Sequence, residues 1–432
     1  MMVQVTNLLA KNIHDITYND VVAFCQQQVI EGVQLDYKET LPKDLAKQFA
    51  AFSNTKGGLI IIGVGEDKKT GLPATWNGLA NNGKIVDQIH QFAANVSPLP
   101  TYDIRTTDEQ GGNVFFLIRI NEGAAPPYVT LSDPTVWIRN GNIRTPASRE
   151  ELLRLDGKRR DAQTARFARI AFAERYFKDR IAEVEQKRQQ SSQAGEENIY
   201  PYPLGSEEHR AILSLTVQPY YPEKPLIAYQ NLLGNVLKYC EHEMNHTVFG
   251  HGQRIDTLPG GIAVFNSNMF SGDVICEQLY ANGVYSLMKS IISDKNAYSE
   301  KTQEVIHINI IAMDVYSRLK IVQRFYKMSG YSGLVIVMIC LKGGSGTEVN
   351  PLQTPNSRQW LQPQYGKVRL SSYDWQFELD TATLYDESAL NQLFSTIIRE
   401  ISWGLGIPEV NQAVINSVLQ HYRWLAPAPS NS

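Results

Sequence analysis

Among the charged residues between positions 31 and 67, Glu31, Asp36, Glu66 and Asp67, with Lys38 beside Asp36 in sequence, are the ones whose spacing could build a site. Hard oxygen ligands of this kind suit Mg²⁺ or Mn²⁺, ions that favour carboxylates and keep part of their water. An ion held there would neutralise phosphate oxygens and activate water, which is the chemistry of phosphodiester hydrolysis. Carboxylates at strand ends and in loops also commonly face solvent, so spacing alone leaves both readings open.

The elements that must position these groups read as strand, helix and strand. Val33, Leu35 and Tyr37 alternate with Gln34, Asp36 and Lys38, the period of a half-buried strand that puts Asp36 and Lys38 on one polar face. Pro42 and Asp44 suit a helix start, and Leu45, Phe49 and Phe52 recur at helical spacing until Asn54, Thr55, Gly57 and Gly58 stop it. Leu59 to Val64 is an almost continuous apolar run, as in a strand buried on both faces. It delivers Glu66 and Asp67 at its tip.

These residues also carry a resemblance. E-x4-[DE]-x-K, then AFSNTKGG, then LIIIGVGED, resembles the Schlafen-type AlbA_2 domain. HQFAANVSP from His90, APPY from Ala125, VWIRNG from Val136 and the later PASREELLRL are similar to its closing segments. The likeness covers roughly residues 20 to 156. It implies an AlbA_2-like mixed sheet with flanking helices. It also implies a metal-dependent endoribonuclease site acting on structured RNA such as tRNA, with Glu31, Asp36 and Glu66 on Mg²⁺ or Mn²⁺ and Lys38 beside the phosphate. Asp36 stands where the family has a glutamate and Glu66 where it has an aspartate, so each arm differs in reach by one methylene. Asp67 is the substitute for Glu66. Relatives that only bind DNA or RNA make a non-cutting regulatory protein with a sensing C-terminal domain the alternative. One AlbA_2 motif set, where full Schlafen proteins have two lobes, implies a homodimer.

At 432 residues the chain has room for two or three domains, and its net charge of −3 announces no nucleic acid globally. The basic charge is local. Residues 139 to 188 hold fourteen Lys and Arg against eight Asp and Glu. Phe167, Ile170, Phe177, Ile181 and Val184 there mark one face of a long helix. Lys68, Lys69, Arg139, Arg144, Arg159 and Arg160 are the candidate phosphate contacts, since such contacts supply most non-specific affinity. Cys25, Cys240, Cys276 and Cys340 have no paired spacing, which argues against a disulfide framework or a Cys-based zinc site. With no signal pattern and no apolar run long enough for a bilayer, a cytoplasmic protein is expected, with no membrane partner.

The expected class is α+β, with an AlbA_2-like domain over residues 1–158, a basic helix and polar linker over 159–200, and a second, α/β domain over 201–432. Ser148 with Glu151 is a capping-box signature, and Asp314 is expected at a helix N-cap. His242, Glu243 and His246 fit H-E-x-x-H, whose helical spacing would put two imidazoles on one zinc with the glutamate as base. A zinc metallopeptidase is therefore a second alternative, with Glu277 as the downstream glutamate. GGSGTE at Gly343 lacks the lysine of a phosphate-binding loop and reads as a turn.

Overall fold

The computed structural model describes residues 8, 9, 11, 13–67, 69–193, 211–221, 225–234, 255–267, 274–294, 304–331, 333–353 and 366–422. The chain divides into two units, residues 1–164 with 327–334 and residues 165–326 with 335–432.

In the first unit, strand Leu35–Lys38 lies parallel to strand Gly58–Ile62, with Asp36 opposite Ile60 and Lys38 opposite Ile62. Parallel neighbours need a crossover, and helix Leu45–Asn54 provides it. Strand Phe116–Ile120 pairs antiparallel with Gly58–Ile62, and Tyr102–Thr106 pairs antiparallel with Phe116–Ile120. Both faces of this sheet are covered. Ile60, Ile62 and Ile118 enter a core with Phe49, Phe52 and Ile89, while Leu59, Ile61 and Leu117 enter another with Phe24, Leu35 and Tyr37. The strand Leu35–Lys38 is thus more deeply buried than its alternation predicts. Asp36 is only 2% exposed, because the helix and a later hairpin cover its face.

Gly57 and Gly58 are required by close approach. Gly57 has φ +61°, and a Cβ there would strike the carbonyl oxygen of Ile120, as one at Gly58 would strike that of Gln34.

A second sheet, in the order Ile143–Pro146, Asp133–Asn140, Val129–Thr130, Val96–Ser97, packs against the same helix. The last helical residue ties it down. The Asn54 amide donates to the carbonyls of Tyr128 (2.8 Å) and Trp137 (2.9 Å) and accepts from the Tyr128 amide (2.7 Å). Thr55 Oγ1 accepts from the Arg139 amide at 2.9 Å.

Helix Arg149–Gln193 starts at the expected capping box, in which the Ser148 amide donates to Glu151 and the Glu151 amide to Ser148 Oγ. It continues to Gln193, into the start of the polar stretch that sequence assigns to a linker, the rest of which lies outside the described residues. Ala173 and Phe177 are buried with Val274, Cys276 and Met288, so this part of the helix is core of the second unit.

The second unit holds a seven-stranded sheet ordered Ile255–Leu258, Gly261–Ser267, Val274–Tyr280, Tyr285–Ser290, Ile212–Pro219, Leu334–Lys342, Ser372–Asp380. The first six strands pair antiparallel, and turns at Gly260 and Gly283 join neighbours directly, which removes the crossover helices a parallel sheet needs. Helices Ile308–Ser329, Glu387–Gly404 and Gln412–Tyr422 and a small four-stranded sheet complete it. Cys25, Cys276 and Cys340 are free thiols. Gly343 to Glu348 is a turn entering strand Glu348–Asn350. Among the described residues no helix is long and apolar enough to cross a membrane.

Asp314 is not an N-cap. It sits inside helix Ile308–Ser329, fully buried, with Arg318 Nη1 and Lys289 Nζ each 3.0 Å away. The other arm of Arg318 reaches Glu277 at 2.5 Å, and the two buried carboxylates raise the already high pKa of the guanidinium further. Arg318→Met would remove the cation paired with buried Glu277 and leave Asp314 to Lys289 alone, so we expect a loss of about 3–5 kcal/mol in the unfolding transition of this unit, measured by urea titration.

Candidate functional site

The site is built where strand Leu35–Lys38 ends beside the exit of strand Gly58–Ile62. Glu31 is placed by a tight turn in which the Gly32 amide donates to the Leu35 carbonyl, so its carboxylate reaches forward and accepts from the Tyr37 amide. Its own amide donates to Gly71 in the loop that follows Glu66. Glu66 lies in the short strand Gly65–Glu66, and its side chain is hydrogen-bonded to that of Glu31. Burial, the Asp36 charge and that contact together push the Glu31 carboxyl up to about 8, against the opposing pull of the Tyr37 amide and Lys38.

Asp36 is held differently. Lys38 Nζ is 2.7 Å from Oδ2 and Arg139 Nη1 is 3.2 Å from Oδ1. Lys38 directs its hydrogen bond to the Tyr37 carbonyl at 2.8 Å, so Oδ2 is ion-paired yet receives no directed hydrogen bond.

Arg139, expected on a phosphate, is instead a buried strut. It is 4% exposed, lies over the Phe52 ring, and donates to the carbonyls of Gly32 and Leu35 and to Gln48 as well as to Asp36. A guanidinium with five fixed donors is suited to that task, and none of them points to solvent. Arg144 is likewise engaged. It pairs with Asp44 at 2.5 Å and lies over Trp137, whose ring also carries Lys47 at 4.8 Å. Asp44 stands at the helix N-cap but makes no side-chain cap, its carboxylate being committed to Arg144.

Asp67 is not a second Glu66. Its exposed carboxylate accepts from the amides of Lys69 (2.8 Å) and Thr70 (3.0 Å), which lowers its pKa and closes the loop on itself. Lys69 and Arg160 are exposed. Lys68, the Arg159 side chain and the HEMNH residues His242, Glu243 and His246 lie outside the described residues. Glu277, the third group proposed for zinc, is 3% exposed and committed to Arg318.

The structure therefore brings Glu31, Asp36, Lys38 and Glu66 together and leaves Asp67, Arg139 and Arg144 in other work. As a ready cation cage the cluster does not fit: among the described residues no group of three or more His, Cys, Asp or Glu is disposed to hold a metal ion. Asp36 already has two positive neighbours. Sequence reasoning missed Asn54 and Thr55, whose only signal is their place at the end of an apolar helix, where such residues are usually taken for stop signals.

Residues 31–148 match the family model described as Schlafen, AlbA_2. They form an AlbA_2 domain. A match to the N-terminal domain of a RecG-related protein from Nitrosomonas europaea has 17% identity and a TM-score of 0.24, and covers 31% of this chain and 93% of that one. The DIP2311 protein from Corynebacterium diphtheriae matches at 21% identity and a TM-score of 0.22 over 29% of this chain, which spans 24% of that protein. No curated protein sequence matches. The AlbA_2 domain suggests nucleic-acid binding.

The Glu31 carboxyl gives a pH test. Because its folded pKa lies above the ordinary 4.5, the folded state holds more protons than the unfolded between about 4.5 and 8, and stability falls as pH rises through that window. Thermal unfolding followed from pH 5 to 8.5 should show this decline in the wild type and a flatter profile in Glu31→Gln.

Proposed function

We propose that the AlbA_2 domain grips the phosphate backbone of nucleic acid, with folded RNA such as tRNA, or DNA, as ligand. The match over residues 31–148 carries this reading. Lys69 supports it, being exposed on the loop whose Gly71 carbonyl receives the Glu31 amide, and so does Lys38, whose side chain keeps 23% of its surface open. Arg160 adds an exposed charge on the helix that closes the domain. Two copies of the chain would supply the paired lobes of full Schlafen proteins. Fluorescence anisotropy with tRNA and with duplex DNA in EDTA should give salt-sensitive binding. Lys69→Glu and Arg160→Glu should each weaken it severalfold without unfolding the protein, and absence of binding to either nucleic acid at about micromolar protein and low salt would end the proposal.

The second reading is a Mg²⁺- or Mn²⁺-dependent endoribonuclease, and one observation favours it. The Glu31–Glu66 contact and the unsatisfied Asp36 Oδ2 are a local excess of carboxylate oxygen that a cation would relieve. Against it stands the neutralisation of Asp36 by Lys38 and Arg139. A divalent ion on this cluster would replace the proton held by Glu31. Mn²⁺ should therefore raise the melting temperature at pH 8 in the wild type but not in Glu31→Gln, and tRNA should be cut only by the former. Equal behaviour of the two proteins would leave the gripping role alone.

A further inference from the structure

The second unit contains a cavity of about 220 Å³ between the helix Arg149–Gln193 and the sheet. Glu174, Phe177, Lys178 and Ile181 line it from one helical stripe, and Ile212, Ser214, Met288, Lys342 and Gly343 from the strands. Register explains the floor: Ser214 lies opposite Met288 and Ile212 opposite Lys342, so these side chains are neighbours on one sheet face. Protein interiors rarely leave voids larger than a water molecule, and a cavity of about 150 Å³ lined by apolar side chains is already enough for a benzene ring. This one is larger, mostly apolar, and has charge at its rim.

That charge has a sign. Lys342 pairs with Glu174 at 2.6 Å, while Lys178 is exposed and has no ion-pair partner among the described residues. Asp374 also acts on Lys342, so that ammonium is balanced within the protein and Lys178 is the charge left to meet a ligand. A bound molecule should accordingly present an apolar, ring-sized body to Phe177, Ile181 and Met288 and an anionic group to Lys178. We propose that this cavity is a binding site for a small aromatic carboxylate. It is separate from the carboxylate cluster of the AlbA_2 domain and independent of any nucleic-acid role.

The test titrates the full-length protein with benzoate, benzyl alcohol and benzylamine by calorimetry, with thermal unfolding as a second readout. Saturable one-to-one binding of benzoate, weaker binding of the alcohol and none of the amine is the expected order. Lys178→Glu should weaken benzoate by roughly two- to fivefold, as expected for a partly solvated ion pair. Ile181→Trp should fill the cavity and abolish binding. No saturable benzoate binding up to about 10 mM, well beyond the weakest affinities of interest, would overturn the proposal. So would benzylamine binding as well as benzoate, or benzoate affinity unchanged by Lys178→Glu. The exposed Lys178 variant decides the matter alone if the tryptophan variant does not fold.

Discussion

The architecture of the AlbA_2 domain turns on a buried ion pair between Asp36 and Arg139, residues 103 positions apart. An isolated charge at either place would be costly in so dry a setting, and each is made tolerable by the other and by carbonyls of the turn that positions Glu31. The guanidinium therefore fastens the hairpin of residues 133–146 to the strand that carries Asp36 and Lys38. Chemistry and folding share the same atoms. Asp36 cannot be altered as a catalytic candidate without also releasing a strut.

Asn54 and Thr55 make the complementary attachment. The helix between the two parallel strands ends in side chains that bond to Tyr128, Trp137 and Arg139, so the segments AFSNT, APPY and VWIRN meet at one junction. Each contributes one side of a joint, and the carboxylate cluster is placed by it. The second unit uses a similar device, with Arg318 bridging Glu277 of the sheet and Asp314 of its own helix.

Local pattern made much of this legible. The alternation around Leu35, the helical spacing of Leu45, Phe49 and Phe52, and the apolar run after Gly58 correspond to elements that form. Periodicity fails where a polar residue turns inward to meet a distant partner. Arg139 looks like any exposed strand-end arginine, and Asp314 like a helix start, because the groups that bury them lie far away in sequence.

The Asn54 junction has one more implication, for the chemistry its side chain allows. Its amide gives hydrogens to two carbonyls at one end and takes one at the other, so the site needs a group with both polarities. Aspartate has nearly the same shape but, when ionised, only accepts, and would set its charge against two oxygen dipoles. Only in acid, with a hydrogen regained, could such a side chain imitate half of the original pattern. Spontaneous hydrolysis of this one amide would thus undo the clasp from within, with no change in the size of any residue.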